Sequence, residues 1–314
     1  MKIHILTFSS RNFITPVTKK NLELLKEAAE NLGHEAEIIY EKECFMKFFN
    51  KPQLLIRNKR PKDIKILLVR ANFLSSYMEY RSGLIKQFEL IKTPIINKYL
   101  PVLKAKNKLR TLQTLNKHKV PIPKTYILRS TDYLDEMAEK IGSFPVILKT
   151  VFGSHGSGVS IVESRRGLNS IVGMLTDQSS SLPIMIQEYV KESKGKDIRV
   201  FIVGKRIIGA MERIATKRGE FRSNFHLGGR VRVAEMTRKE KDVAFAAVSA
   251  LGLDIAGVDI LRTKTGPKVL EVNANPGLEG ITKATGRDVA GEIIKYCVKK
   301  AKRLNNKKSK SKKK

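Results

Sequence analysis

The sequence predicts an α/β unit followed by a strand-rich α+β region, and three observations carry that expectation. Apolar strand and helix patterns alternate through the first hundred residues. The break Val120-Pro121-Ile122-Pro123 then shifts the pattern to strands joined by glycine loops. Near the C-terminus, Ile255 to Leu261 and a run holding Val269 and Val272 flank the polar segment Arg262 to Pro267, which reads as a hairpin loop.

Residues 2 to 8 form an apolar strand candidate, and Thr15 to Asn31 carries Leu22, Leu25, Ala28 and Ala29 at helical spacing, closed by Gly33. Ala36 to Tyr40 and Ile64 to Arg70 read as further strands, so the sheet is expected to be parallel. Ser9, Ser10 and Asn12 stand after the first strand where a Gly-x-Gly-x-x-Gly turn would be needed, which argues against a dinucleotide site. Ser82 to Ile91 is a helix and Pro94 to Asn97 a short strand; Tyr99 to His118 reads as one basic helix. Strands follow at Thr125 to Leu128, Pro145 to Val151, Val159 to Val162, Ile184 to Val190, Val200 to Val203 and Ile207 to Ile214, with a helix from Asp132 to Ile141. Thr237-Arg238-Lys239-Glu240 is a capping box for a helix that stops at Gly252, and Asp288 caps the last helix, whose core stripe includes Cys297.

Composition sets the partners. The formal charge is +31, and Lys299 to Lys314 holds ten Lys or Arg with no acid, a run expected to be disordered. Taking ten from +31 leaves +21 on the folded part, which suits attraction to RNA, a ribosome or a polyglutamate segment. A lysine-rich organism with uniformly basic proteins is the competing explanation. Two unpaired cysteines, Cys44 and Cys297, exclude a disulfide framework and a thiolate zinc site. No long apolar run is present, so the expectation is a soluble cytoplasmic protein without membrane partners.

The hairpin carries the first chemistry. Glu271 and Asn273 are two apart and project from one face of a strand; with the loop centred on Thr265, Asp259 lies directly across from Glu271. Two opposed carboxylates and a carboxamide call for a cation, and oxygen ligands suit Mg²⁺ or Mn²⁺. An exposed hairpin with an ordinary polar face is the alternative. The second chemistry is Lys149 on a strand running into Phe152-Gly153-Ser154-His155-Gly156-Ser157-Gly158, a loop whose backbone N–H groups could close on phosphates, or an unliganded hairpin tip. It is not a Walker A loop, because the lysine precedes the glycines and a strand follows. The Arg222 to Arg230 loop reads as an anion site or as a solvated loop.

Taken together, Gln187-Glu188-Tyr189, Lys196-Asp197-Ile198-Arg199, Phe221-Arg222-Ser223-Asn224, Ala256 to Leu261 and Glu271 to Ile281 make the chain resemble the RimK family of ATP-grasp ligases, which modify ribosomal proteins. The resemblance implies an ATP-grasp fold, two α+β lobes clasping ATP, after a Rossmann-like pre-ATP-grasp α/β domain. The expected division is 1–98 for that first domain, 99–111 for the start of a linker helix, 112–298 for the ATP-grasp domain and 299–314 for the disordered tail. It further implies that Lys108 and Lys149 contact ATP phosphates under the loop carrying Gly153, Gly156 and Gly158. Glu188 and Tyr189 would hold the adenine edge by backbone groups, and Asp197 would lie near ribose and phosphates. Arg222, Ser223 and Asn224 would line the nucleotide and acyl site, with Arg222 and Asn224 catalytic. Asp259, Glu271 and Asn273 would bind two Mg²⁺ or Mn²⁺ ions. The implied reaction joins L-glutamate to a ribosomal-protein C-terminus through an acyl phosphate. Two other readings stand: a ligase joining an amino acid to a coenzyme or amino-group carrier protein, and a non-catalytic RNA- or ribosome-binding protein. The resemblance permits a homo-oligomer. Asn107 before Lys108 and Asn275 depart from the pattern, where Asp and Ser are expected.

Overall fold

The computed structural model describes residues 1–9, 14–61, 63–70, 77–130, 132–142, 144–150, 159–178, 183–216 and 229–311. The first domain alternates as expected: β1 (Lys2–Thr7), α1 (Pro16–Asn31), β2 (Glu35–Tyr40), β3 (Cys44–Phe49), β4 (Lys51–Ile56), β5 (Leu67–Arg70), α2 (Met78–Leu90) and β6 (Ile95–Ile96). Its main sheet runs β2-β1-β5-β6 with every pair parallel, and β3–β4 is a separate hairpin that the sequence pattern did not single out. Thr15 caps α1 through its side chain and Pro16 opens the first turn, where a missing N–H costs nothing.

The basic helix expected over Tyr99 to His118 is two helices, α3 (Tyr99–Lys106) and α4 (Lys108–Lys117), broken at Asn107. The Asn107 carboxamide oxygen accepts the Arg110 N–H at 3.0 Å, so the asparagine is the N-cap of α4. Asn caps as well as Asp does, and the departure noted in the sequence leaves the break intact.

Two antiparallel sheets follow. One has the order β7-β10-β8-β9, from β7 (Thr125–Leu128), β10 (Ile184–Glu188), β8 (Val146–Thr150) and β9 (Val159–Val162). The helices α5 (Leu134–Ile141) and α6 (Arg165–Gln178) share its core through Ala138 and Leu168. The other has the order β13-β12-β11-β14-β15, from β13 (Arg230–Val233), β12 (Arg206–Ile214), β11 (Lys196–Val203), β14 (Ile255–Leu261) and β15 (Lys268–Asn273). One face of that sheet packs Ile198, Val200, Val258 and Val272 with Ala244, Ala247 and Val248 of α7 (Arg238–Leu251). The opposite face packs Phe201 and Met211 with Ile281 of α8 (Glu279–Thr285) and Ile293 and Cys297 of α9 (Val289–Ser311). Both caps of α7 are as expected: the Thr237–Glu240 box and Gly252 at φ 74.

The tail departs from expectation. The helix α9 extends to Ser311, and Ala301 is fully buried within the span expected to be disordered. Val298 and Ala301 continue the core stripe of Ile294 and Cys297, while Lys, Arg and Leu are good helix formers, so packing carries the helix into the basic run. No helix among the described residues is long and apolar enough to cross a membrane.

Three side chains of the first domain hold the segment after β15. The Asn97 carboxamide donates to the carbonyls of Ile255 and Ala274 and accepts the N–H groups of Asp254 and Ile255, at 2.7 to 3.0 Å. Arg70 donates to the Pro276 carbonyl at 2.8 Å, and Asn21 of α1 accepts the Leu278 N–H at 2.7 Å. The turn at Pro276 and Gly277 is therefore fixed from the neighbouring domain.

Candidate nucleotide and metal site

The β14–β15 hairpin pairs Asp259 with Glu271, as anticipated, but not because its loop is centred on Thr265. At the tip Leu261 pairs with Lys268 and Ile260 with Val269, a register that would set Asp259 opposite Leu270. A bulge between Asp259 and Ile260 makes Leu270 the extra residue and restores the carboxylate pair. Burial of the strand's apolar residues explains it: Val269 and Val272, three apart, both enter the core against α7, which a strict two-residue alternation forbids. The bulge turns Glu271 to the other face.

That face carries a row of charge from strand to strand. Arg213 on β12 donates to both oxygens of Asp197 on β11, at 2.6 and 2.7 Å, and to Asp259 Oδ2 at 2.7 Å. Arg199 grips both Asp259 oxygens at 2.7 and 2.6 Å. Burial pushes the Asp259 carboxyl up, but the two guanidiniums outweigh it and hold the group below the usual carboxylate range. For Arg213 burial acts against the charge, and the two aspartates more than offset it, raising it further. Two acids and two arginines pair in this network, in which the Asp197 carboxylate, expected near the ribose, meets Arg213.

Lysines gather at Glu271. Burial pushes Lys149 down to about 8; Glu271 opposes that shift and Lys108 adds to it. Burial likewise lowers Lys106 and Lys108, with Glu271 again opposing. The break at Asn107 makes this convergence possible. On a continuous helix, residues two apart point about 200° apart and could not face one site. Ending α3 at Lys106 and starting α4 at Lys108 brings both to Glu271. Lys149 also donates to the Gln187 carboxamide oxygen at 2.8 Å, and Gln187 donates to Thr125 Oγ1 at 2.8 Å, so two neighbouring strands fix the ammonium.

At the end of β10, Lys268 of β15 donates to both Glu188 oxygens at 2.8 Å, and the Lys124 N–H donates to one of them at 3.0 Å. The Glu188 side chain thereby ties the two antiparallel sheets together. Half-buried Tyr189 follows it directly.

The donor set fits a divalent ion, with Asp259 sharing its two oxygens between the ion and the guanidiniums of Arg199 and Arg213. Asp259, Glu271 and Asn273 lie on one face, and the pairing residue of Asn273 is Gly257, which has no side chain. Asn273 Nδ2 is buried without a hydrogen-bond partner. A carboxamide is nearly symmetric in outline, and a half-turn points its oxygen, a metal ligand, the same way. Glu271 is exposed, and three lysines feel its charge. Among the described residues no three His, Cys, Asp or Glu cluster to hold a metal.

Gly153, Gly156, Gly158, Arg222, Ser223 and Asn224 lie outside the described residues. Sequence reasoning gave no role to Arg70, Lys106, Gln187, Arg199 or Arg213. A partial signal was present for Arg199, a charge set between the apolar residues Ile198 and Val200 of a strand, and for Arg213, which follows Glu212 near the end of a strand that is apolar from Ile207 to Met211.

A lysine-bearing antiparallel sheet facing an antiparallel sheet with paired carboxylates, behind a parallel α/β domain, defines an ATP-grasp enzyme, an ATP-dependent ligase. Family models agree: a RimK PreATP-grasp domain matches residues 1–100 and a RimK-like ATP-grasp domain matches 105–297. The chain is 37% identical over 308 residues to probable alpha-L-glutamate ligase 2 of Pseudoalteromonas atlantica, covering 98% of each. Its fold is similar to the RimK domain ATP-grasp protein of Sphaerobacter thermophilus, with TM-score 0.70, 19% identity and 94% and 99% of the two chains covered. It is also similar to the ATP-grasp ligase PsnB complexed with minimal precursor, Mg and ADP, with TM-score 0.71, 16% identity and 95% and 97% covered. The protein belongs to the RimK family.

Proposed function

We propose that the protein is an ATP-dependent α-L-glutamate ligase that joins the amine of free L-glutamate to a carboxylate at the C-terminus of a small-subunit ribosomal protein. The observation that carries this reading is the opposition of Asp259 and Glu271 across the bulged hairpin, with Lys106, Lys108 and Lys149 gathered at Glu271. The acceptor carboxylate attacks the γ-phosphorus, giving an acyl phosphate and ADP; the glutamate amine then displaces phosphate and forms the amide. Both reactants in the first step are anions, so catalysis depends on offsetting their repulsion. Lys108 and Lys149 take the phosphates, and backbone groups at Glu188 and Tyr189 meet the adenine edge. Asp197 and Asp259 hold Arg199 and Arg213 in place on the face that carries Glu271. Asp259, Glu271 and Asn273 would hold two Mg²⁺ or Mn²⁺ ions, which when bound neutralise phosphate charge. The 153–158 loop covers the phosphates, and Arg222, Ser223 and Asn224 line the acyl site. The lysine-rich end of α9 and the charge of +31 favour an acidic chain end as acceptor.

The test is ADP release from ATP by the full chain with glutamate and peptides ending in glutamate, combined with mass spectrometry of the peptide product. Glutamate addition is expected, and Asp259→Asn should abolish ADP formation. No turnover with any carboxylate acceptor refutes the ligase reading. Turnover restricted to a small acid or a carrier protein refutes the ribosomal acceptor.

A further inference from the structure

One buried cation has no place in the site described so far. Arg70, Arg81 and Arg213 are buried among the described residues. Arg81 is closed by the two oxygens of Glu41, at 2.6 and 2.7 Å, and Arg213 by Asp197 and Asp259. Arg70 is 5% exposed, donates from Nη2 to the Pro276 carbonyl, and meets no carboxylate among the described residues. Another cation, Lys106, feels its charge. Holding such a charge out of water is costly, and burial pushes Arg70 down to about 10.

Position supplies the second observation. Arg70 ends β5 and pairs in register with Thr7, the last residue of β1, so the two side chains share a face. The strand order β2-β1-β5-β6 changes direction between β1 and β5, and open α/β sheets take ligands outside the carboxyl ends of their strands at such a point. Thr7 is 1% exposed, and its Oγ1 has no hydrogen-bond partner. A buried guanidinium without a carboxylate and a buried hydroxyl without a hydrogen bond therefore sit side by side among the described residues. Asn21, in the second turn of α1, holds the Leu278 N–H two residues from Pro276, so the N-terminal end of α1 adjoins the same segment. That helix has no acid in its first turn, and its dipole favours an anion.

We infer that the carboxyl ends of β1 and β5 form a carboxylate subsite, in which Arg70 and Thr7 Oγ1 hold a non-reacting carboxylate of the incoming glutamate or of the acceptor chain end. The inference rests on the ligase reading for the identity of the substrates. The planar fork of a guanidinium beside a hydroxyl matches a carboxylate. The ATP phosphates have their own lysines on the other domain. The clamp of Arg70 on Pro276 places the subsite at the segment that leads directly from Glu271 and Asn273.

The experiment compares wild type, Arg70→Met and Arg70→Lys in the ligase assay with substrates that each lack one non-reacting carboxylate. These are glutamine or glutamate α-amide as amine donor, and an acceptor peptide ending in Gln instead of Glu. One such swap should raise the wild-type KM for that substrate about tenfold or more, as loss of a hydrogen bond to a charged group does. Arg70→Met should raise the KM of the intact substrate by the same factor, leave the amide analogue unchanged and leave the KM for ATP unchanged. The swap that loses its effect identifies whether donor or acceptor is bound. Amide penalties that all persist in Arg70→Met, or a KM change for ATP alone, overturn the inference. Should Arg70→Met fail to fold, Arg70→Lys, which keeps the charge without the fork, must show the raised KM; a wild-type KM overturns it. If wild type forms no ADP with any acceptor, the ligase reading fails separately. Calorimetric titration of glutamate and an acidic peptide into wild type and Arg70→Lys then decides the subsite, weakened binding upholding it and equal binding overturning it.

Discussion

Lys149 should make the nucleotide-free protein less stable than it would be without the charge, and Lys149→Met measures by how much. A fall from 10.5 to about 8 in the folded state corresponds to roughly 3 kcal/mol against the charged form. The variant also removes the donor to the buried Gln187 oxygen, at 2.8 Å, which costs about 1 to 2 kcal/mol. The expected net effect is a stabilisation of about 1 to 2 kcal/mol near neutral pH, read by urea denaturation. The pH dependence has a definite sign. Below about 8 the ammonium is charged in both states and its full cost is felt; as pH rises toward 10.5 the folded protein has already lost the proton, and the cost fades. The advantage of the variant should therefore shrink between pH 8 and 10.5. The same variant should lose about a hundredfold or more in kcat/KM for ATP, the scale expected for removing a preorganised charge from a transition state. A variant that is less stable at pH 7, or whose stability difference does not change with pH, refutes the account of Lys149 as a buried cation held for phosphate.

Three further outcomes are expected. Arg213→Met leaves Asp197 without its guanidinium and Asp259 with one partner fewer; it should destabilise by about 3 to 5 kcal/mol in urea, and Arg213→Lys should not restore the loss because an ammonium cannot fork. Asn97→Leu removes four buried hydrogen bonds between the domains, at 2.7 to 3.0 Å, and should cost about 4 kcal/mol by the same measurement. Deleting residues 305–314 removes helix beyond Ala301, the last residue described as buried, and should change stability by less than about 0.5 kcal/mol. Under the acidic-acceptor reading the same deletion should raise the acceptor KM at low salt, with the difference vanishing at high salt.

The sequence alone determined most elements, because their signals are local. The caps of α7, the Thr15 start of α1, the Asp288 cap of α9 and the strands flanking the 262–267 loop each depend on neighbouring residues. It also determined that Asp259 and Glu271 lie on adjoining strands of one hairpin, since apolar runs flank its polar loop. Three features required the tertiary structure. The register that joins the carboxylates depends on the bulge at Leu270, and that bulge exists because Val269 and Val272 both meet α7. The convergence of Lys106 and Lys108 depends on the break at Asn107, which the unbroken apolar stripe of Tyr99 to His118 conceals. Arg70 lies about two hundred residues before the Pro276 carbonyl that it grips, and no local pattern distinguishes it from a strand-end arginine in water. Charge that is paired or stranded by contacts between distant segments leaves no periodic trace, and only the packing of the two domains reveals which cations lack an acid.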